Sequence, residues 1–456
     1  MACEQVTLQD VCELIVDCPH TSAKDEGVGY PLIRTPNVGR GRLILTDVHR
    51  VSQDVYERRV SRAVPRQGDL ILAREAPAGN VAIVSPGIEV CLGQRTMLLR
   101  PDSSFVVPEY LNYYLNAPEQ RDRMLRLANG ATVSHINVAD IRNMPVQLPS
   151  CGEQSKVAEL LNVLDDKIDL NNRLNDYLFE LVSSVFAHRF SDNVNTTELK
   201  NVLSISTKAL KPQEHADEIW EHYSIPAFDE KHRPIFEPAS GIKSNKYQID
   251  SECILISKLN PSTKRIWMPC CSSNNAVCST EFIVYRPYLK EYKSFYYAAI
   301  DSPRFTDYLL EHVSGSTGSR QRAQPKDTLN YLMPNPDNEE IKDFCTFADP
   351  IYRHIQINEQ QTAKLELLRE TLLPKLMSGA IDVSKVDLTQ LTNNHLWVHG
   401  HNVPNRYWKG RLWKPSLIMF CHRCRTCSIR HSSNIWPKYS ESRYCQLRKH
   451  PCRRIC

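Results

Sequence analysis

Two long stretches of the chain repeat apolar residues at 3.5-residue intervals, the spacing of a coiled coil rather than of a helix lying on a sheet. The first contains Val157, Leu161, Leu164, Ile168, Asn171, Asn175, Leu178, Val182 and Val185. The second, 187 positions later, contains Phe344, Ala348, Ile351, Ile355, Asn358, Thr362, Leu365, Arg369 and Leu372. Both carry polar residues at the same point. A buried Asn in such a seam fixes the register at a cost in stability.

We therefore predict that two long helices pair with each other as an antiparallel coiled coil. The predicted seam contains Leu161, Leu164, Ile168, Asn171, Ile351, Ile355, Asn358 and Leu365. The alternative is two separate amphipathic helices, each packed on its own domain. The agreement of register between the two stretches favours pairing.

The segments that precede these helices also repeat, at an offset of about 185 residues. Residues 69–74 (DLILAR) return as residues 253–258 (CILISK), and residues 130–132 (GAT) return as residues 315–317 (GST). A period this long is not that of a solenoid, whose units span about 20–50 residues. The chain therefore contains a duplicated domain. Two similar but diverged domains suggest two similar but different targets, held at a fixed distance.

The predicted fold class is α+β, with two similar domains separated by the two long helices. We predict domain 1 at residues 1–150, the first long helix at 151–192, domain 2 at 193–337 and the second long helix at 338–383. The first long helix should be about 55 Å long. Pro350 follows Asp349 inside the second, and because Pro after a cap-type residue often starts a helix, we predict a break there.

Domain 1 has short strand-like runs separated by turns, at residues 30–33, 70–73, 81–84 and 96–99. A helix is predicted from residue 108 to residue 127, since Pro108 suits a helix start and Asn129-Gly130 suits its end. Domain 2 should follow the same plan.

The composition is ordinary for a globular protein, with 41% hydrophobic and 24% charged residues. No apolar run approaches the roughly 18 residues of a membrane span. The first five residues, MACEQ, have neither the basic start nor the apolar centre of a signal peptide. The cysteines of residues 1–345 show no pairing pattern, which favours reduced thiols. We expect a cytoplasmic protein without a membrane partner.

A net charge of +4 conceals an acidic body and a basic tail. Residues 388–456 carry 13 Lys and Arg against one acid, whereas residues 1–387 carry 43 basic and 51 acidic residues. Any nucleic-acid contact of the body must therefore be a local basic surface. The tail, residues 384–456, is rich in Cys and Trp and shows no helical or strand period. Its composition resembles translation in an unselected frame, with a basic nucleic-acid tail or a zinc site as alternatives, and we expect its deletion to leave folding intact.

Several local stretches, in this order, resemble the specificity (S) subunit of type I restriction-modification systems. They are residues 17–21 (DCPHT), 30–34 (YPLIR), 130–137 (GATVSHIN), 164–168 (LDDKI) with Asn171, and 372–379 (LLPKLMSG). The resemblance covers about residues 5–385. It implies two target recognition domains, each reading one half of a split, asymmetric site on double-stranded DNA. The paired helices would set the distance between them.

The same resemblance implies the partners. Two methyltransferase (M) subunits would dock on the helices, and restriction/translocase (R) subunits would join them. S-adenosylmethionine, ATP and Mg would bind these partner subunits, with no cofactor and no metal on this chain.

Motifs for catalysis are missing from the sequence. There is no Asn/Asp-Pro-Pro-Tyr/Phe methyl-transfer loop, no GxxxxGK[ST] phosphate loop and no HExxH zinc motif. The chain should therefore bind and position while its partners do the chemistry. A different class of function remains open, a protein-binding scaffold with the coiled coil as its assembly interface, and the acidic body favours it.

Base reading needs Arg or Lys for guanine and Asn or Gln for adenine, all on exposed loops. In domain 1 the candidates are Arg34, Asn37, Arg40, Arg74, Asn80, Gln94, Arg95 and His135. In domain 2 they are Lys258, Asn260, Lys264, Arg265, Arg320 and Arg322. Arg74 and Lys258 are the preferred pair, because a cation recurs at the same loop position in both repeats. Each residue could equally be an exposed charge or a turn former.

Overall fold

The computed structural model describes residues 4–128, 135–314 and 321–385. The helices of these residues are α1 (Gln53–Arg59), α2 (Pro108–Asn116), α3 (Pro118–Arg126), α4 (Val138–Arg142), α5 (Cys151–Phe190), α6 (Ile225–Lys231), α7 (Lys293–Asp301), α8 (Pro303–Glu311), α9 (Pro325–Thr328) and α10 (Asn338–Met377). Arg320, the repeated segments at 130–132 and 315–317, and the tail beyond residue 385 lie outside the described residues.

The strands of domain 1 are β1 (Glu4–Thr7), β2 (Cys12–Asp17), β3 (Tyr30–Ile33), β4 (Gly41–Arg42), β5 (Arg50–Val51), β6 (Leu70–Ala73), β7 (Val81–Ile83), β8 (Cys91–Leu92), β9 (Thr96–Pro101) and β10 (Pro145–Leu148). Those of domain 2 are β11 (Thr196–Glu198), β12 (Leu203–Ser206), β13 (Ala209–Leu210), β14 (Ile219–Tyr223), β15 (Ile235–Pro238), β16 (Lys246–Gln248), β17 (Ile254–Ser257), β18 (Ile266–Trp267), β19 (Ala276–Ser279), β20 (Phe282–Pro287), β21 (Val313–Ser314), β22 (Arg322–Ala323) and β23 (Leu332–Pro334).

The two domains share one frame, as the repeat predicts. The central sheet has the order β2-β9-β6-β7-β4 in domain 1 and β12-β20-β17-β18 in domain 2. The apolar runs that predicted β6 and β17 are fully buried in both sheets. An arginine has the same role in both domains. Arg100 donates to Asp69 and Arg286 donates to Asp250, each at 2.8 Å, and both Asp residues lie in the turn before the central strand.

The domains differ in their outer sheet. Domain 1 has three strands there, in the order β5-β3-β8, with β3 and β8 parallel. Domain 2 has the matching strands β15-β14-β19, with β14 and β19 parallel, and adds β16 and β13 beyond β19. The divergence of the repeat is therefore greatest in the outer sheet.

The four strands predicted in domain 1 are all present, but the predicted helix at 108–127 is wrong as a single element. It is divided into α2 and α3 at Ala117, whose backbone is extended at ψ 144° because Pro118 follows. Pro118 then occupies the first turn of α3, where its missing N–H costs nothing. Domain 2 has the same break at Ser302-Pro303.

Both long helices start with the same device. Ser150 accepts from the backbone of Glu153 while the Glu153 side chain accepts from the Ser150 backbone, and Asp337 and Glu340 repeat this capping box. Each helix has 40 residues, so each is about 60 Å long.

The predicted break at Pro350 is wrong, because α10 runs through it. Proline in a helix interior removes one backbone hydrogen bond and crowds the preceding turn. Here the turns on either side are anchored by Phe344, Ala348 and Tyr352, all of which are buried in the core of domain 2. The packing of this face offsets the local cost of the proline.

The ends of the long helices complete the cores of both domains. Leu161 of α5 and Leu376 of α10 are buried in the core of domain 1, and Val182 and Phe344 are buried in that of domain 2. Two predicted seam residues, Ile351 and Ile355, also pack against the domain 2 core. The pattern of α5 and α10 therefore serves domain packing at the ends and helix pairing in the middle. None of the described helices is both long and apolar enough to cross a membrane.

Candidate nucleic-acid interface

The middle of the helix pair is a narrow antiparallel seam. Leu164 and Ile168 of α5 form an apolar cluster with Leu365 of α10. Farther along α5, its partners lie progressively earlier in α10, with Arg369 donating to Asp165 and Arg189 donating to Asp343, both at 2.6 Å. This order of contacts can arise only from antiparallel helices.

The polar positions of the two heptads meet in two adjacent layers. Asn171 donates to Gln361 at 3.0 Å and to Thr362 at 3.3 Å. One turn on, Asn358 donates to Asn175 at 2.8 Å. All but Gln361 are buried, so a shift of register would leave buried amides without partners, which is costly. The polar layers therefore fix how far the two domains lie apart.

Cations from both domains meet a row of carboxylates on the helix pair. Arg42 of domain 1 donates to Asp166 at 2.6 Å and also to Asp169. Lys231 of domain 2 donates to Glu366 at 3.0 Å, and Arg233 donates to the same carboxylate. These ion pairs connect each domain to the helix pair, in addition to the apolar contacts that the helices make with the two cores. Sequence reasoning missed all three cations, since nothing local marks a cation whose partner lies more than a hundred residues away.

The loop candidates of domain 1 are partly structural. Asn37 is 5% exposed, and its side chain accepts from the Arg34 backbone at 3.2 Å and donates to the Ile44 carbonyl at 3.2 Å. The Asn80 amide donates to the Val38 carbonyl at 3.0 Å and accepts from Arg121 at 2.7 Å. The expectation that Asn37 and Asn80 present free amides on exposed loops is wrong, because the loop backbone uses both.

Arg74, the preferred candidate, is also not exposed. Its side chain is 6% exposed and pairs with Asp17 at 3.2 Å. Arg74 and Lys258 have equivalent backbone positions, but the Arg74 side chain is buried inside domain 1. The expectation that Arg74 lies on an exposed loop is therefore wrong, and its place in the fold indicates a structural ion pair, whereas its contact with bases stays a prediction.

We expect Arg74→Ala to destabilise the protein by about 3 kcal/mol, because it removes the buried cation that pairs with the Asp17 carboxylate, which then retains the Cys18 N–H and the exposed His20 as partners. The exposed Arg40 provides the matched control. Arg40→Ala should change the free energy of unfolding by no more than about 0.5 kcal/mol. Urea unfolding of the two variants measures both values, and equal small effects would contradict a structural role for Arg74.

Other domain 1 candidates do reach the surface. Arg40, Gln94 and Arg95 are exposed, whereas Arg34 is half-buried. Gln94 donates to the His20 carbonyl at 3.0 Å. Arg95 and His135 both contact the carboxylate of Glu75, each at 2.9 Å. Glu75 is the residue that sequence reasoning missed here, and its position directly after the Arg74 of the repeated segment was the available signal.

In domain 2 the candidates fall into two groups. Lys258 and Asn260 are half-buried, and exposed Arg322 pairs with Glu281 at 3.1 Å. Lys264 binds the Asp301 carboxylate at 2.5 Å, and Arg265 holds Asp229 through two hydrogen bonds at 2.6 and 2.8 Å. The structure brings Lys258 and Arg322 together at the end of β17, and it pairs Lys264 and Arg265 with carboxylates of neighbouring helices.

Glu359 of α10 lies against domain 2, in a small cavity lined also by His232, Trp267 and Met268. Burial raises the pKa of Glu359 to about 7, and the Arg233 charge only partly opposes this. Burial also lowers the pKa of His232. The contact between α10 and domain 2 therefore contains two groups whose charged forms are disfavoured.

We expect Glu359→Gln to stabilise the protein above pH 7 by on the order of 2–3 kcal/mol. The folded-state pKa of Glu359 is raised, so its contribution to stability is present below the unfolded value near 4.5 and is lost as pH rises to about 7. Wild type and variant should converge near pH 4.5. Melting curves from pH 4.5 to 8.5 test this. Both proteins contain His232, so its titration contributes to both stabilities and does not enter the difference between them. A pH-independent difference would contradict the prediction.

The comparisons with known proteins agree with one another. A family described as the type I restriction modification DNA specificity domain matches residues 2–178. The type I restriction enzyme MjaIX specificity subunit of Methanocaldococcus jannaschii is 21% identical over 373 residues, 74% of this chain and 84% of that protein. The EcoBI specificity subunit of Escherichia coli is 25% identical over 189 residues, 40% of this chain and 39% of that protein. The matching family and both of these relatives are of the type I specificity kind, and this chain is similar to them.

A solved type I specificity subunit, the S subunit from M. genitalium, has the same fold. It aligns with a TM-score of 0.54 at 15% identity, over 82% of this chain and 96% of that one. The family match, the relatives and this shared fold together confirm the resemblance to specificity subunits that the sequence motifs indicated. The family match ends within α5, and the shared backbone frame extends the same architecture to domain 2.

Proposed function

We propose that this specificity subunit recognises a bipartite, asymmetric site on double-stranded DNA and positions methyltransferase and endonuclease subunits on it. The observation that carries the proposal is the pair of domains built on one frame but diverged in the outer sheet and loops. Because both are fixed to one antiparallel helix pair, they present two different surfaces at one separation. Such geometry suits two unlike half-sites with a fixed spacer.

As the DNA-recognition component, the chain is not itself the catalyst. We propose that two M subunits dock on it and that R subunits join the assembly. S-adenosylmethionine, ATP and Mg would then bind those subunits. The chain's contribution is to select the DNA sequence and to place the target base within reach of the methyltransferase. A cytoplasmic location is part of this proposal, since the partners and the DNA are found there.

A methylation map tests the proposal. This chain would be co-expressed with a modification subunit of a type I system, and methylated bases would be read by long-read sequencing. The expected result is a split asymmetric motif that disappears when this chain is omitted. A soluble complex that methylates no motif would contradict the proposal and favour a scaffold that binds proteins alone.

A further inference from the structure

The backbone identifies two pairs of equivalent positions in the two domains. The Arg74 N–H donates to the Arg95 carbonyl at 2.9 Å, and the Lys258 N–H donates to the Glu281 carbonyl at 2.9 Å. Arg95 and Glu281 therefore occupy the same place, next to the start of β9 and β20. This place carries opposite charges in the two domains.

The carbonyl groups of Arg74 and Lys258 identify a second pair of equivalent positions. The Arg74 carbonyl accepts from Ile136 at 3.1 Å, and the Lys258 carbonyl accepts from Ala323 at 2.9 Å. The residues just before these donors, His135 and Arg322, are thus equivalent. Each domain has two such side chains beside one another at one end of the interior strands of its central sheet, β6 and β9 in domain 1 and β17 and β20 in domain 2.

These side chains are held differently in the two domains. In domain 1, Glu75 is 14% exposed and contacts both the Arg95 Nε and the His135 Nδ1 at 2.9 Å, while the Arg95 side chain remains 57% exposed. In domain 2, Leu259 follows Lys258 where Glu75 follows Arg74. There Arg322 contacts Glu281 directly at 3.1 Å, and the Glu281 side chain is 30% exposed. Each domain thus has one surface group oriented by a partner of opposite charge.

The backbone at Arg95 supports a role beyond folding. Its φ is +65°, in the left-handed region that side chains other than Gly enter only at a cost. Strain of this kind persists where the surrounding structure enforces it, and it is concentrated at functional sites. Glu75 contacts Nε, so the two terminal amino groups of the guanidinium remain suited to a bidentate contact with guanine. A carboxylate at the same place is suited instead to the amino group of cytosine.

We propose that Arg95 and Glu281 are the equivalent base-reading positions of the two domains, Arg95 reading guanine in one half-site and Glu281 reading cytosine in the other. Glu75 and Arg322 are positioning residues that aim them. The charge reversal at one shared place is then one physical cause of the asymmetry of the site. This inference rests on the proposed function and adds to it the residues that specify one base in each half.

The test maps methylation by the complete complex of this chain with its modification subunit. Arg95→Ala should reduce discrimination at one guanine of one half-site by roughly 5- to 150-fold and leave the other half-site unchanged. Glu281→Gln should change one position of the other half-site, from cytosine toward adenine, which Gln recognises. Arg126→Ala, an exposed cation on α3, is the control and should leave the motif unchanged.

The positioning role has its own readout. Glu75→Gln should weaken discrimination at the same guanine as Arg95→Ala, and the double variant should lose no more than Arg95→Ala alone. A structural role would lower the melting temperature of the complex without singling out one base. An unaltered motif in both Arg95→Ala and Glu281→Gln, with the wild type active, would overturn the inference alone. The absence of any motif with the wild type would overturn the proposed function together with it.

Discussion

Inserting seven residues into each long helix is expected to abolish methylation of the original site and to lengthen the spacer of any site still recognised by about three base pairs. The insertions belong between Arg173 and Leu174 in α5 and between Glu359 and Gln360 in α10, so that they separate the two polar layers. A heptad preserves the phase of the seam. It adds about 10 Å of helix, and DNA rises about 3.4 Å per base pair. The half-sites themselves should not change, because neither domain is altered.

Three base pairs also rotate one half-site by about a quarter turn, since a turn of DNA has about 10.5 base pairs. We therefore expect a lower rate at the longer site than at the original one. A methylation map of the variant complex gives the result. Insertion into α5 alone is the control, because it mismatches the polar layers and should prevent a stable complex. Continued methylation of the original spacer by the double insertion would show that the helix pair does not set the distance.

Phe344→Ala is expected to destabilise the protein by about 3–5 kcal/mol. Phe344 is fully buried where α5, α10 and domain 2 meet. Its ring centroid lies 5.6 Å from those of Phe186 and Phe190 and 5.9 Å from that of Phe295. Truncation removes the burial of one ring and leaves a cavity that three other rings cannot fill. Urea unfolding measures the loss.

Leu367→Ala is the matched control, because Leu367 lies on the same helix with 65% of its surface exposed. Its truncation should change the free energy of unfolding by no more than about 0.5 kcal/mol. Similar losses in the two variants would indicate that α10 is stabilised by its helical sequence rather than by the aromatic cluster.

Much of the frame could be predicted because its signals are local or periodic. The heptads at 157–185 and 344–372 predict two paired helices, and their polar positions supply the layers in which Asn171 contacts Thr362 and Asn175 contacts Asn358. The buried strands β6 and β17 are apolar runs that need no long-range information. By contrast, two prolines that lie inside predicted helices behave oppositely. Pro118 divides a helix whereas Pro350 does not, and only the packing of α10 on domain 2 distinguishes them.

The candidate surface was harder to predict, since exposure depends on partners far away in sequence. Arg74 and Lys258 share a loop position, but the Arg74 side chain is buried in an ion pair with Asp17. Asn37 has a side chain suited to adenine, but its amide donates a hydrogen bond to the Ile44 carbonyl. The type of residue therefore shows what a side chain could bind, whereas the folded loop decides whether it is free to do so.

The sharing of both long helices between the two cores has a consequence for the order of folding. Leu376 and Val383 are part of the domain 1 core, so that core cannot be completed until nearly 390 residues have left the ribosome. Chains whose contacts are this distant in sequence fold slowly and expose apolar surface while they wait. During synthesis the apolar surface of domain 1 that these residues cover therefore remains exposed until the end of α10 and the segment after it have been made.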